Sequence, residues 1–460
     1  MQLLKQVSES SRLLSRIIYS SLFFIFLLSC SVSRQIGNWA KDDILNDTAL
    51  KSAHVGISVY DPASNQYLYN YQGDKYFVPA SNTKLFSLYA GMKCLGDSLI
   101  GIRFAETDTA VFIFPTGDPS LLHADYARQP VIDFLKNIKK PVYLVDTNWK
   151  EQPQGAGWAW DDYNDDYSSE RSSLPVYGNM IRWIQEKQKT SDQKKDFAPS
   201  PVVYSLPDVN WKVMFTTGST KKNFFVRRHI SENVFEITEG NEDHKEQDVP
   251  FVTNGVASAI ELLKDTVGRE ISVISHLPGD PLLYHTAVIY SQPADSLFAP
   301  MMHRSDNFFA EQTLLMVSNE KFGVMSDRRI IDTLLKEDLN HLPQRPSWAD
   351  GSGLSRYNLF TPQDFIWLLH TMKNEFGMNR MKIILPTGGT GTLGSYYKQD
   401  SGHIYAKTGS LSGVICLSGY LYTDKNRLLI FSVLVNNHNA ASSAIRRAVA
   451  KFVETLRRKY

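Results

Sequence analysis

The stretch Val78-Pro79-Ala80-Ser81-Asn82-Thr83-Lys84 decides how the rest of the chain is read. It runs into Leu85, Leu88, Tyr89, Met92 and Leu95, apolar residues at helical spacing, and Pro79 suits a helix start, so Ser81 is predicted in the first turn. Lys84 follows three residues later on the same face, within reach of the Ser81 hydroxyl. A serine is a poor nucleophile until a neighbouring base takes its proton, and a partly desolvated lysine can be that base. The spacing alone says little, because Ser191 with Lys194, Ser219 with Lys222 and Ser318 with Lys321 repeat it. Ser191 sits in a polar run, Ser219 follows the turn-forming Thr216-Thr217-Gly218, and Ser318 ends a helical pattern instead of beginning one.

Two further segments raise the weight of Ser81. Ser305-Asp306-Asn307 precedes the apolar run Phe308, Phe309, Ala310, Leu314, Leu315. Lys407-Thr408-Gly409-Ser410 lies between Ile404-Tyr405 and Val414-Ile415, a strand setting. Serine-x-x-lysine, serine-aspartate-asparagine and lysine-threonine-glycine form the signature of penicillin-binding proteins and class A β-lactamases, and the chain resembles them in all three.

The chain has 460 residues, enough for two or three domains, and its 43% hydrophobic and 21% charged content is that of a folded protein. A formal net charge of +1 argues against nucleic-acid binding. The eleven histidines are scattered, without metal-ligand spacing, so neither a catalytic metal nor another cofactor is expected. Near the N-terminus, Lys5, Arg12 and Arg16 precede a mostly apolar run from Ile17 to Leu28, too short for a span of about 20 residues and suited to an export signal. It ends in Leu27-Leu28-Ser29-Cys30, which resembles the bacterial lipobox. That resemblance implies a signal peptide over 1–29, a lipidated Cys30, and a periplasmic protein anchored to the outer membrane. Cys94 and Cys416 both lie in apolar surroundings and read as buried packing residues, not a disulfide.

Along the chain, residues 30–52 read as a polar tether, and 55–71 as a hairpin around Asp61-Pro62-Ala63-Ser64-Asn65. At the far end, Ile404 to Lys407, Val414 to Tyr422 and Leu428 to Asn436 read as strands, and Ser442 to Arg458 as an amphipathic helix. Strands from both chain ends imply one α/β (α+β) domain assembled from 53–103 and 289–460. Ser81 and Ser305 are 305 − 81 = 224 positions apart, too many for a loop, so 104–288 is expected to hold one or two inserted mixed α/β domains. Within it Ala110 to Phe114, Val142 to Val145, Trp211 to Phe215, Asn223 to Val226 and Val234 to Ile237 read as strands. Val131 to Ile138, Tyr177 to Ile184 and Ala257 to Lys264 read as helices. The charged runs Gln185 to Lys195 and Glu239 to Gln247 read as exposed loops.

With these segments placed, nearly the whole mature chain resembles the low-molecular-mass class C penicillin-binding proteins, the D-alanyl-D-alanine carboxypeptidase/endopeptidases. Beyond the three motifs, the resemblance includes Gly117 to Leu121, Gly157 to Asp162, Asp350 to Arg356 and Leu385 to Leu393. It implies a serine β-lactamase/transpeptidase-like domain, an antiparallel sheet flanked by helices and interrupted by nested inserts. The implied partners are peptidoglycan stem peptides and, as covalent inhibitors, β-lactams. By this resemblance Ser81 is the nucleophile, Lys84 the acylation base and Ser305 a proton relay, while Asn307 meets the substrate amide. Lys407 and Thr408 hold the terminal carboxylate, with Gly409 and Ser410 lining the same strand. The segment Trp160-Asp161-Asp162, with an aromatic five positions on at Tyr167, would contact the free amine of a diaminopimelate side chain, Asp162 supplying the counter-charge. A serine β-lactamase shares the chemistry, but β-lactamases are compact, and no Glu-x-x-x-Asn loop of the class A kind stands out here. A non-catalytic, cell-wall-binding lipoprotein would have no need of a base-paired nucleophile.

Overall fold

The computed structural model describes residues 33–187, 201–216, 223–279 and 284–460. The export signal, Cys30, the Ser191 and Ser219 motif repeats and most of the run Gln185 to Lys195 lie outside them. Residues 33–45 form helix α1, whose last five, Lys41–Leu45, widen into a π turn. Ile36, Ala40 and Ile44 are fully buried in the core. The polar tether expected over 30–52 is therefore partly a docked helix. Its apolar residues are few, but a spacing of four lines them up as one narrow stripe. β1 (His54–Asp61) and β2 (Gln66–Tyr71) make the expected antiparallel hairpin.

A 3₁₀ turn, Ala80–Thr83, then leads into α2 (Lys84–Cys94). There follow β3 (Ser98–Glu106), β4 (Val111–Pro115), α3 (Pro130–Asn137) and β5 (Val142–Val145). Six strands come next: β6 (Met180–Lys187), β7 (Pro201–Leu206), β8 (Lys212–Phe215), β9 (Phe225–His229), β10 (Glu232–Thr238) and β11 (His244–Pro250). After α4 (Ala257–Val267), β12 (Ile271–Ile274) and β13 (Thr286–Pro293) come the helices α5 (Ala294–His303), α6 (Asn307–Phe322), α7 (Asp327–Lys336) and α8 (Pro362–Ile384). The chain closes with β14 (Ile404–Leu411), β15 (Val414–Tyr422), β16 (Leu428–Asn436) and α9 (Ser442–Lys459).

The chain forms two compact units. One takes the described residues up to Pro79, Phe360–Lys382 and Pro386–Tyr460. Its five-stranded antiparallel sheet has the order β14-β15-β16-β1-β2, so strands from the two chain ends do share one sheet. Nearly every residue of β15 and β16 is buried, as expected of central strands covered on both faces. Ile445, Val449, Phe452, Val453 and Leu456 of α9 and the α1 stripe belong to the same core.

The other unit comprises Ala80–Leu359 and Ile383–Leu385. A mixed sheet in the order β12-β5-β4-β3-β13 and two three-stranded sheets, β8-β10-β9 and β11-β6-β7, surround a core fed by α3 and α4. Helix α6 is buried from Phe308 through Asn319, so its polar residues Glu311 and Gln312 sit inside the protein with partners of their own. Gly91 of α2 lets this helix close on Phe298 and Thr313; a Cβ there would lie 2.7 and 2.8 Å from those side chains.

Two expectations fail in this unit. Tyr177 to Ile184, read as a helix, is a 3₁₀ turn at Tyr177–Asn179 followed by β6, the central strand of its sheet, with Ile181, Trp183 and Ile184 buried. The charged runs are in part strands: in β6 and β11, Gln185 pairs with Lys245 and Glu186 with His244. Charges there lie on an open sheet face instead of a loop tip. The two cysteines among the described residues are free, Cys416 buried and Cys94 only half-buried, since the last turn of α2 leaves the core.

Candidate active site

Ser81 is the one partly exposed residue of the turn Ala80–Thr83. The turn is bent into place by Ala80, which carries φ +48°, a left-handed conformation an alanine adopts only when its surroundings enforce it. Thr83 Oγ1 donates to Ala80 O at 2.9 Å. Gly353 packs against the same carbonyl: a Cβ at 353 would stand 2.0 Å from Ala80 O, and its own φ is +86°. Only glycine satisfies both demands.

Lys84 begins α2 and is fully buried. Its Nζ lies 3.0 Å from Ser81 Oγ, 2.6 Å from Asn307 Oδ1 and 2.7 Å from Ser352 O. An ammonium has three protons for these three acceptors. A neutral amine has two protons for the two obligate acceptors, Asn307 Oδ1 and Ser352 O, and a lone pair for the Ser81 hydroxyl, which can turn round and donate. The site thus accommodates both charge states with the same heavy-atom positions. Burial pushes the amine down from 10.5 to about 8, against the carboxylates of Asp350, Glu311 and Asp306, which favour its charged form. That leaves a usable fraction of neutral base near pH 7.

Each partner of Lys84 is held in turn. Asn307 Nδ2 donates to Tyr167 O at 2.9 Å, which fixes the amide so that its oxygen faces the amine. Asp306 caps α6 by accepting from Phe309 N at 2.9 Å. Ser305, just before it, is partly buried with φ +63°, another strained non-glycine position. The peptide that presents Ser352 O has its N–H, that of Gly353, donated to Asp350 Oδ1 at 2.8 Å. Asp350 is fully buried and also accepts from Ser355 N, Asn358 Nδ2 and Trp158 Nε1 at 2.7, 2.7 and 3.0 Å. Ser352 N–H donates to Glu311 Oε1 at 2.7 Å, one helical turn beyond Asn307. Arg171, 1% exposed, reaches the other Glu311 oxygen at 3.3 Å and Asp327 at 2.5 Å. Glu311 and Arg171 are not singled out in the sequence, and Asp350 enters there only as the start of the segment Asp350 to Arg356. The one local signal is a glutamate inside the apolar run of α6, and its arginine partner is 140 positions away.

Lys407, Thr408, Gly409 and Ser410 lie on β14, in the first of the two units. Lys407 is fully buried and donates to Thr408 O at 2.9 Å; Ser410 is exposed and accepts from Arg446 Nη2 at 2.9 Å. Asp162 lies on the 3₁₀ turn Trp160–Asn164. Its partial burial raises its pKa, and the Tyr167 hydroxyl close by donates to Asp165 Oδ2 at 2.9 Å. Ser318, the remaining motif repeat, is buried in α6 and donates to Val324 O at 2.7 Å, a structural bond. Among the described residues no cluster of histidine, cysteine and carboxylate side chains is arranged to hold a metal, and no helix is long and apolar enough to cross a membrane.

The sequence matches the model of the D-Ala-D-Ala carboxypeptidase 3 (S13) family over residues 39–456. It is 25% identical over 452 residues to a D-alanyl-D-alanine carboxypeptidase of an Actinomadura species, covering 89% of this chain and 82% of that protein. It is 23% identical to the D-alanyl-D-alanine carboxypeptidase DacB of Haemophilus influenzae, covering 95% and 96%. The fold is shared with the crystal structure of penicillin binding protein 4 from Haemophilus influenzae, at a TM-score of 0.68 and 19% identity over 92% of this chain and 98% of that one. The motifs, the fold and the length of the match agree: the chain belongs to the D-Ala-D-Ala carboxypeptidase 3 (S13) family.

Proposed function

We infer that the protein is a serine D-alanyl-D-alanine carboxypeptidase/endopeptidase that acts on peptidoglycan stem peptides and is acylated by β-lactams. The observation that carries this reading is the buried Lys84 amine 3.0 Å from Ser81 Oγ, inside an S13-family chain. In the proposed reaction Ser81 Oγ attacks the carbonyl between two D-alanines as Lys84 takes its proton. The C–N bond breaks, Ser305 passes a proton to the leaving amine, and an acyl-enzyme ester remains for water to hydrolyse. Asn307 orients both Lys84 and the substrate amide. Lys407 and Thr408 hold the free carboxylate, a fixed cation and a hydroxyl donor being suited to a C-terminus. The backbone N–H groups of Ser81 and Ser410 stabilise the oxyanion, one such donor being worth about 3–4 kcal/mol.

Two measurements test it together. Intact protein soaked in benzylpenicillin should gain the mass of one penicilloyl group, and digestion of purified muropeptides should release D-alanine or split crosslinked dimers. A protein that gains no mass and leaves muropeptides untouched would be a binding lipoprotein instead. Rapid loss of the label would indicate a β-lactamase.

The finer assignments follow from the same reading. Asp162 would supply the counter-charge for a diaminopimelate amine, supported by its place on the turn Trp160–Asn164, which leads to Tyr167, whose carbonyl receives Asn307. Asp162→Ala is expected to lower turnover of diaminopimelate peptides about tenfold or more, the order of one charge-assisted contact, and to leave amine-blocked peptides unaffected. Equal losses on both would remove Asp162 from the site. Cys30 would carry the lipid anchor in the periplasm, and Cys30→Ala should move the protein from the detergent phase to the aqueous phase; no change in partition would end that proposal.

A further inference from the structure

Helices α5 and α6 are joined by a single residue. Arg304 closes α5, its N–H donating to Pro300 O at 3.1 Å, and Asp306 caps the start of α6. Ser305 alone makes the turn between them, at φ +63°. A left-handed backbone is unfavourable for a serine, so the surroundings of the residue have to enforce it.

The Arg304 guanidinium spans that turn. Its Nε and Nη2 both lie 3.1 Å from Asp306 Oδ2, and its Nη1 lies 2.5 Å from Asp125 Oδ2. The side chains on either side of Ser305 are thus bonded to each other and, together, to a third element. Asp125 belongs to a turn between β4 and α3 that is fixed to both helices. Tyr126 Oη donates to Ser296 O of α5 at 3.0 Å, and the His123 ring lies 4.9 Å from the ring of Phe309 in α6. The Arg304 and Asp125 side chains are 43% and 33% exposed, so their ion pair adds little to stability. Its geometry is another matter. A planar fork engaged on two sides cannot rotate without breaking a bond, and it also lies 5.1 Å from the centre of the Phe309 ring.

This strap is close to the reacting groups. Two residues beyond Ser305, Asn307 Oδ1 is 2.6 Å from Lys84 Nζ. We propose that Arg304 is a positioning residue, which by bridging Asp125 and Asp306 across Ser305 holds the Ser305 hydroxyl where it can protonate the leaving nitrogen. The proposal rests on the D-alanyl-D-alanine reading. In that reaction the electron pair of the broken C–N bond stays on nitrogen, and the proton that Lys84 took from Ser81 reaches it through Ser305. An amine cannot leave without that proton. A thiol, with a pKa near 8.5, can take the electron pair and depart as its anion.

The test uses the mature protein and two acyl donors, an N-acylated D-alanyl-D-alanine and its analogue in which a thiol replaces the leaving amine. Arg304→Gln removes the charge and the fork. Its kcat/KM, which reports acylation, should fall about tenfold or more on the amide, since a misplacement of about 1 Å can cost 10²-fold. On the thioester the loss should stay below about threefold, and Tm should remain within about 4 °C of wild type. Asp125→Asn should show the same preference. The double variant should lose no more than Arg304→Gln alone, because both residues act through one bond. Equal losses on the two donors, no loss on the amide, or additive losses in the double variant would overturn the strap. Wild type that cleaves neither donor would instead defeat the underlying reading, and hydrogen exchange would then decide the strap by itself. The Phe309 N–H, bonded to Asp306 Oδ1 at 2.9 Å, should exchange about tenfold faster in Arg304→Gln, and unchanged protection would count against Arg304.

Discussion

Exchange of Lys84 for methionine is expected to slow acylation by benzylpenicillin about 10²–10⁴-fold, the range typical of a positioned general base. The protein should stay folded. Methionine fills the same fully buried space without the cost of burying a charge, although Asn307 Oδ1 and Ser352 O each lose a donor. Ser81→Ala, by contrast, should give no covalent adduct at any time of exposure. The wild-type rate carries a further signature. In the proposed reaction the base is the deprotonated amine, with a pKa near 8, so acylation should rise about tenfold per pH unit below pH 8 and level off above it. Stopped-flow acylation from pH 5.5 to 9.5 measures this directly, and a flat profile in wild type would remove Lys84 from the role.

The second large effect concerns Glu311. Its carboxyl is buried beside Asp350, and burial with that neighbouring charge lifts it to about 7 against the pull of Arg171. Glu311→Ala leaves the Arg171 guanidinium short of one buried partner and Ser352 N–H without its acceptor, so about 3–5 kcal/mol of stability should be lost. At about 2–4 °C per kcal/mol for a domain of this size, Tm should fall by roughly 6–20 °C. Glu311→Gln keeps an acceptor oxygen and should cost about 1–2 kcal/mol. It should also move the bend in the acylation profile to lower pH. Above pH 7 the wild-type carboxylate is ionised and, with Asp350 and Asp306, favours the Lys84 ammonium; without it the amine gives up its proton more easily. Thermal melts and the same pH series on both variants check this. A bend that stays in place in Glu311→Gln would reduce Glu311 to a packing role.

The parts of this protein that could be read from the sequence are those whose signals are local. Pro79 to Leu95, the three C-terminal strands and α9 each carry their own period, and the structure has them where the period puts them. The misread parts are those whose pattern has two solutions. Tyr177, Met180, Ile181 and Ile184 keep a helical stripe, yet Met180 onward is a central strand, and only the flanking strands β7 and β11, invisible at that range, select it. His244 to Gln247 looked like a loop because charge on an open sheet face and charge on a loop tip are alike in one dimension. In the candidate site, Ser81, Lys84 and Asn307 were legible as motifs, and the structure brings Ser81 Oγ and Asn307 Oδ1 to 3.0 and 2.6 Å from the Lys84 amine. The ion pair of Glu311 and Arg171 behind it was not legible, since a buried ion pair is defined by partners far apart in sequence and leaves little mark on either.

The three-way coordination of the Lys84 nitrogen has a consequence for how the reaction is driven. A base that is equally well bonded before and after it accepts a proton need not rotate, retreat or recruit solvent when it does so. Reorganisation is then confined to the substrate and the incoming water, and the protein's share of the barrier has already been met during folding. On this view the enzyme works as a rigid socket, and an inhibitor gains little by waiting for the base to move.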